Sequence, residues 1–194
     1  MHIRTEDTPN PQSLKFLPDQ PVLGEGQLGM DFPSPGAAKI SPLATALFDV
    51  DGVVSVYLGG SFVTVSKDQT VDWDDIKPAV LGTIADFLAA GIPVLDQGRA
   101  AAASGTTAPE DYKGEEREIV EQIIELLDTR VRPAVAQDGG DIIFHRFEPG
   151  DGIVYLTMQG ACAGCPSSTM TLKSGIENLL KHYVPEVNAV EAVA

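Results

Sequence analysis

The pattern of apolar and polar residues in the first half of the chain predicts a small sheet with two helices. The predicted elements are a strand at 14–17, a helix at 42–48, strands at 52–58 and 61–65, and a helix at 73–90. Ser41 precedes Pro42, which is the usual order of a capping residue and a first helical residue. Gly59-Gly60 is typical of a two-residue hairpin turn, and Gly91 ends the second helix. The first half is therefore a small α+β domain.

The second half shows the same mixture of helical and strand periodicity. Its predicted elements are a helix at 115–131, strands at 142–147 and 153–158, a helix at 166–183 and a last strand at 187–193. Arg132-Pro133 is expected to end the first of these helices, because proline lacks the amide that a helix needs. Asp138-Gly-Gly-Asp141 and the Pro149–Gly152 segment predict turns. The cysteines of this half fall between a strand and a helix.

Between the two halves, small and polar residues replace all periodic hydrophobicity from Asp96 to Pro109. Such a composition is typical of a flexible linker. The sequence therefore predicts an α+β protein of two small α/β domains, at 1–97 and 113–194, joined by a linker at 98–112. Each domain is near the lower size limit for independent folding.

The charge of the chain excludes two classes of partner. The 194 residues include 28 acidic and 13 basic side chains, which gives a net charge of −15. Both domains share the excess, because residues 1–98 carry 13 acidic and 5 basic side chains and residues 114–194 carry 13 and 6. Neither has the basic cluster that phosphate backbones and anionic membranes attract. We therefore expect no nucleic acid and no membrane as partner.

The sequence also carries information on the compartment. No apolar run approaches the roughly 20 residues of a transmembrane helix. Residues 1–7 lack the pattern of a secretory signal and are too acidic for a transit peptide. Two cysteines in a C-x-x-C pair fit a reducing compartment better than a secreted domain. These features predict a cytoplasmic protein, or one of the mitochondrial matrix if a presequence has been removed.

The candidate chemistry is carried by Cys162 and Cys165, which are the only cysteines. A spacer of two residues lets one loop direct both sulfurs to one centre, and thiolates select zinc, copper(I) or iron-sulfur clusters. The amides at the start of the following helix are expected to stabilise both thiolates. Gly160, Gly164 and the hydroxyls of Ser167 and Ser168 could support a bound cluster through close amides and hydrogen bonds.

Two other uses of the pair have to be weighed. A thioredoxin-type oxidoreductase needs further strands after its motif, yet only 29 residues follow Cys165. A structural zinc site needs four ligands, and the histidines at 2, 145 and 182 do not have zinc-finger spacing. A cluster with four thiolate ligands can be shared between two identical chains. An adaptor with incidental or zinc-binding cysteines stays a further alternative.

The motifs around the cysteines resemble those of a known family. Arg132-Pro133, Asp138-Gly-Gly-Asp141 and Gly160-Ala-Cys-Ala-Gly-Cys-Pro-Ser-Ser168 are similar to the C-terminal domain of NifU/Nfu iron-sulfur scaffold and carrier proteins. Thr5-Glu-Asp-Thr-Pro-Asn-Pro-Gln-Ser-Leu-Lys-Phe16 resembles the opening of the Nfu N-terminal domain. Together the two resemblances cover nearly the whole chain except the linker.

The resemblance implies a non-enzymatic carrier. Cys162 and Cys165 would be the ligands of a 4Fe-4S cluster bridged between the subunits of a cluster-dependent homodimer, and a 2Fe-2S form stays open. The cluster would come from an upstream scaffold or chaperone and pass to apo iron-sulfur proteins. The N-terminal domain has no cysteine and no clustered acid-base pair, so we expect it to recognise clients or to stabilise the carrier. Asp138–Asp141 is interpreted as a structural turn, and His145 and His182 as ordinary histidines.

Overall fold

The computed structural model describes residues 2–24, 28–96, 109–163 and 166–193. The chain divides into two compact units, Met1–Ala103 and Ser104–Ala194, and each contains helices and one sheet. The α+β prediction with two domains is therefore confirmed. In the first unit the elements are β1 (Ile3–Asp7), β2 (Ser13–Pro18), β3 (Met30–Phe32), α1 (Pro42–Phe48), β4 (Val53–Leu58), β5 (Val63–Lys67) and α2 (Trp73–Ala89). In the second unit they are α3 (Glu115–Leu126), α4 (Arg132–Gln137), β6 (Gly140–Glu148), β7 (Ile153–Gly160), α5 (Pro166–Tyr183) and β8 (Ala189–Val193).

The first unit is an antiparallel five-stranded sheet in the order β1-β2-β5-β4-β3 with helices packed against it. Its core is apolar, and Phe16 and Leu47 are fully buried within it. Ser41 caps α1 as predicted, because its hydroxyl accepts a hydrogen bond of 3.1 Å from the amide of Ala44. Gly91 follows α2 with a φ of 66°, a left-handed angle that favours glycine, and this confirms the predicted stop.

The Pro-Asn-Pro segment before β2 is held by side chains from distant elements. The indole nitrogen of Trp73 donates to the carbonyl of Pro11 at 3.2 Å, and Nζ of Lys67 donates to Oε1 of Gln12 at 3.0 Å. Trp73 also packs its ring edge-on against Phe16. This part of the N-terminal motif therefore has a structural explanation in the domain itself.

The hairpin of β4 and β5 differs from its prediction. Its connection runs from Gly59 to Phe62, and the amide of Gly59 donates to the carbonyl of Phe62 at 2.8 Å. Neither Gly59 nor Gly60 has a positive φ. A methyl group on Gly59 would instead overlap the ring of Phe62. The two-residue turn was therefore wrong, because the glycine serves close packing rather than a left-handed turn.

In the second unit, three strands in the order β6-β7-β8 form a mixed sheet. β6 and β7 form an antiparallel hairpin, and α5 connects β7 to its parallel neighbour β8. Helices cover one face of the sheet with a continuous apolar core that includes the fully buried side chains of Ile123, Ile142, Leu156 and Leu180. The strands and the helix predicted after residue 140 are confirmed to within two residues.

The prediction that the helix ends at Arg132-Pro133 was wrong. The chain does not leave the helix there, because a π-helical turn at Leu127–Val131 leads directly into α4. Pro133 lies in the first turn of α4, directly after the π-helical turn. The widened turn before it accommodates the proline ring.

The C-terminal end of the predicted linker also belongs to the second unit. Pro109–Asp111 forms a short 3₁₀ helix, and the hydroxyl of Tyr112 accepts from the amide of Phe147 at 2.8 Å. Tyr112 packs against the core of this unit. The rest of the predicted linker, 98–108, lies outside the described residues. None of the described helices is both long and apolar enough to cross a membrane.

Candidate metal centre

Cys162 lies two residues beyond the end of β7, in the connection to α5. We call residues 161–163 the cysteine loop. Cys162 carries no disulfide and is buried, with 6% of its surface exposed. Cys165 and Gly164 lie outside the described residues, so the pairing of the two sulfurs stays a prediction.

The sulfur of Cys162 packs against Gly140 at the start of β6. A methyl group on Gly140 would overlap Sγ of Cys162 and would lie 2.9 Å from the carbonyl oxygen of Gln159. Carbon atoms do not approach backbone atoms so closely, hence glycine is required for this contact. Gly139 has a φ of 78°, which also favours glycine. The two glycines of the Asp138–Asp141 motif thus have separate roles, one in the turn and one against the cysteine.

Backbone hydrogen bonds fix the first part of the cysteine loop. The amide of Ala161 donates to the carbonyl of Gly139 at 3.2 Å, and the amide of Cys162 donates to the carbonyl of Gln159 at 3.3 Å. Gly160 has a φ of 61°, a left-handed angle that favours glycine. The hydroxyl of Thr169 on α5 donates to the carbonyl of Cys162 at 3.2 Å. Sequence reasoning missed Thr169, since its contact depends on how α5 leaves the loop.

The electrostatic environment of Cys162 contradicts the prediction that the thiol deprotonates easily. Its pKa is raised to about 12, mainly by burial and in addition by repulsion from the carboxylates of Asp138 and Asp141. In the single chain, removal of the thiolate from water and the nearby negative charges outweigh the helix amides. A metal therefore has to displace the proton of the Cys162 thiol. It also has to reach a side chain that is buried from solvent in the single chain.

This environment predicts slow alkylation of Cys162 in the metal-free protein. At pH 8, a rise in pKa from 9.0 to about 12 lowers the thiolate population on the order of a thousandfold. Timed iodoacetamide labelling followed by peptide mass spectrometry would measure the rate. Asp138→Asn should accelerate labelling several-fold, whereas Asp151→Asn in the remote β6–β7 turn should not. Labelling of Cys162 as fast as a free cysteine would contradict the prediction.

Arg132 and Asp141 form an ion pair beside this contact. Nε and Nη2 of Arg132 each donate to one carboxylate oxygen of Asp141 at 2.8 Å, and Nη1 donates to Asp128 at 3.0 Å. Asp141 is 4% exposed, and its Oδ1 also accepts from the amide of Ile142 at 2.8 Å. The hydrogen bonds to Asp141 raise the pKa of Arg132 above its usual range. The Asp138–Asp141 segment is a turn, as interpreted, but it also contacts the cysteine.

Among the described residues, the histidines do not form a metal site with other side chains. No three His, Cys, Asp or Glu side chains among the described residues are grouped as metal ligands. His182 packs edge-on against the ring of Tyr183, with 4.9 Å between centroids. Gln159 next to the loop has a buried Oε1 without a hydrogen-bond partner in the described part of the chain. The side chains of Ser167 and Ser168 lie outside the described structure.

Two family models match the chain. Residues 3–91 match a model described as scaffold protein Nfu/NifU N terminal, and residues 123–191 match the NifU-like domain. The second match contains the whole Cys162 environment described above. The two domains that the sequence motifs resembled are therefore both found, and in the predicted order.

Curated relatives match over the full chain. A Drosophila virilis protein named NFU1 iron-sulfur cluster scaffold homolog, mitochondrial, is 51% identical over 100% of this chain and 62% of its own length. The human protein of the same name is 50% identical over 100% of this chain and 72% of its own length. The chain thus spans less than two thirds of the Drosophila relative. A solution NMR structure of a NifU-like protein from Saccharomyces cerevisiae is 31% identical, with a TM-score of 0.47, over 50% of this chain and 86% of that one.

Proposed function

This chain belongs to the Nfu/NifU family of iron-sulfur cluster scaffold proteins, and we propose that it carries a 4Fe-4S cluster to apo-proteins. Cys162 and Cys165 of two copies would supply the four thiolates that the cluster needs. The observation that carries the proposal is the local geometry of Cys162. Its amide donates to the carbonyl of Gln159 and its carbonyl accepts from the hydroxyl of Thr169, at the junction of β7 and α5.

Two features of the site support a carrier rather than a permanent holder. Each chain contributes only two cysteines, so a bridged cluster opens when the thiolates of an acceptor replace one pair. The carboxylates of Asp138 and Asp141 help to raise the pKa of the Cys162 thiol, so protons compete with the cluster for this sulfur. A cluster that is bound without strong stabilisation can be passed on.

The partners follow from the same proposal. Apo iron-sulfur proteins would receive the cluster, and an upstream scaffold or chaperone would supply it. We propose that the C-terminal unit holds the cluster, and that the N-terminal unit recognises clients or stabilises the carrier. Of the two compartments predicted from the sequence, the names of the relatives support the mitochondrial one. The protein would act as a carrier and not as an enzyme.

Anaerobic reconstitution with ferrous iron and sulfide tests the proposal on the full chain. We expect about four irons and four sulfides per two chains, with the visible absorption of thiolate-to-iron charge transfer. Transfer to an apo-ferredoxin, followed by its own spectrum, tests delivery. Zinc binding without sulfide would instead favour a zinc site. Reversible two-electron chemistry without a cluster would favour a dithiol oxidoreductase.

A further inference from the structure

The ion pair of Arg132 and Asp141 has a well-defined, bidentate geometry. Two parallel hydrogen bonds of 2.8 Å join the guanidinium to the carboxylate, and a third bond of 3.0 Å joins it to Asp128. Such a bidentate pair fixes both distance and orientation. The ion pair links the first residue of α4 to the second residue of β6, and the turn at Gly139 lies between them in the chain.

The pair is connected to Cys162 by contacts that leave little freedom. Asp141 lies opposite Gln159 and Gly140 lies opposite Gly160 in the ladder of β6 and β7. Gly139 accepts the hydrogen bond of Ala161, and Gly140 contacts Sγ of Cys162. A shift of the turn would therefore move both the backbone and the side-chain contact of the cysteine loop.

Stability alone is a weak reason for this ion pair. Removing two charges from water costs several kcal/mol, and buried pairs often contribute little net stability compared with apolar residues of similar volume. Asp141 is almost completely buried, and Arg132 reaches it from the helical side of the turn. What such a pair provides is a defined geometry, and here that geometry lies beside the cysteine loop.

We propose that Arg132 is a positioning residue for Cys162: through Asp141 it holds the Gly139-Gly140 turn against the cysteine loop and so sets the geometry of cluster binding. This inference rests on the proposed function and names a residue that acts on the same site without touching the cluster. The arginine does not ligate iron, because its protonated guanidinium is a hydrogen-bond donor without a free lone pair, and it donates to the two aspartates.

Three variants and one control test the proposal on the full chain. Arg132→Gln removes the positive charge, and Arg132→Lys keeps the charge but cannot make the bidentate hydrogen bonds of a guanidinium. Asp141→Asn weakens the ion pair by removing the negative charge. Arg117→Gln is the matched control, because Arg117 pairs with Glu121 on the exposed surface of α3. The readouts are the half-life of the charge-transfer absorption with an iron chelator, the alkylation rate of Cys162 in metal-free protein, and the thermal midpoint.

Arg132→Gln should shorten the cluster half-life by about 10- to 100-fold, because substitution of residues that support metal ligands typically weakens metal binding by that factor. Arg132→Lys should lie between that variant and wild type, and Arg117→Gln should equal wild type. Alkylation of Cys162 should be faster in Arg132→Gln, measured well below its thermal midpoint. If Arg132→Gln does not fold, Arg132→Lys decides by the same measurements, and Asp141→Asn decides by the cluster half-life, because removal of its carboxylate speeds alkylation by itself.

The failures of the two proposals are distinguishable. Wild-type protein that holds no cluster would overturn the proposed function, while faster alkylation in the Arg132 variants, which keep both carboxylates, would still support positioning of Cys162. Folded variants with a lower thermal midpoint but unchanged cluster half-life and unchanged alkylation would overturn the positioning role. That outcome would assign the pair to stability alone.

Discussion

Replacing Cys162 by serine is expected to abolish stable cluster binding and, with it, cluster-dependent dimer formation. In a symmetric dimer each substitution removes two of the four thiolates, and a serine hydroxyl is a poor ligand for iron at neutral pH. Cys165→Ser should have the same effect by the same count. Anaerobic sedimentation of the reconstituted proteins would measure it, with wild type as a dimer and both variants as monomers.

The burial of Cys162 calls for an additional variant. Because only 6% of this residue is exposed, a serine hydroxyl there is removed from water and costs about 1–3 kcal/mol if it lacks a partner. Cys162→Ala avoids that cost and should lose the cluster equally. Ala163→Ser, which adds a hydroxyl to the same loop and keeps both thiols, is the control. A cluster-loaded wild type that sediments as a monomer would refute the bridging model.

Replacing Gly140 by alanine is expected to give the second largest effect. The added methyl group would overlap Sγ of Cys162, and it would also meet backbone atoms, with the amide nitrogen of Cys162 at 3.0 Å. Since backbone atoms cannot yield as a flexible side chain can, the cysteine loop has to shift. We expect a loss of about 1–3 kcal/mol in the free energy of unfolding, as for other overpacked sites. We also expect reconstituted protein to retain little cluster.

Gly175→Ala provides the matched control in the same domain. Gly175 lies within α5, and a methyl group there meets no atom within 4 Å. Alanine in a helix interior should raise stability by up to about 1 kcal/mol and leave cluster content unchanged. Urea unfolding and iron content would be measured on both variants. Wild-type cluster content in Gly140→Ala would show that the contact with Cys162 does not matter for binding.

The sequence by itself determined the elements and the place of the chemistry. Helical and strand periods, the Ser41 cap and the Gly91 stop are local signals, and the helices and most strands followed from them. The C-x-x-C spacing placed Cys162 in a loop between a strand and a helix, where the structure has it. These signals need only residues that are neighbours in the chain, and so they can be recognised without a fold.

Only the tertiary structure decided the environment of the cysteine. Gly140 and Cys162 meet although more than twenty residues separate them, and the register of β6 and β7 brings them together. The raised pKa of Cys162 results from burial and from carboxylates on another strand and turn, which no local pattern contains. The helix continues through Pro133 because a π-helical turn absorbs the ring. Burial, charge proximity and close packing depend on which distant residues the fold places in contact. Patterns of neighbouring residues do not contain this information, and so the sequence alone could not predict these properties.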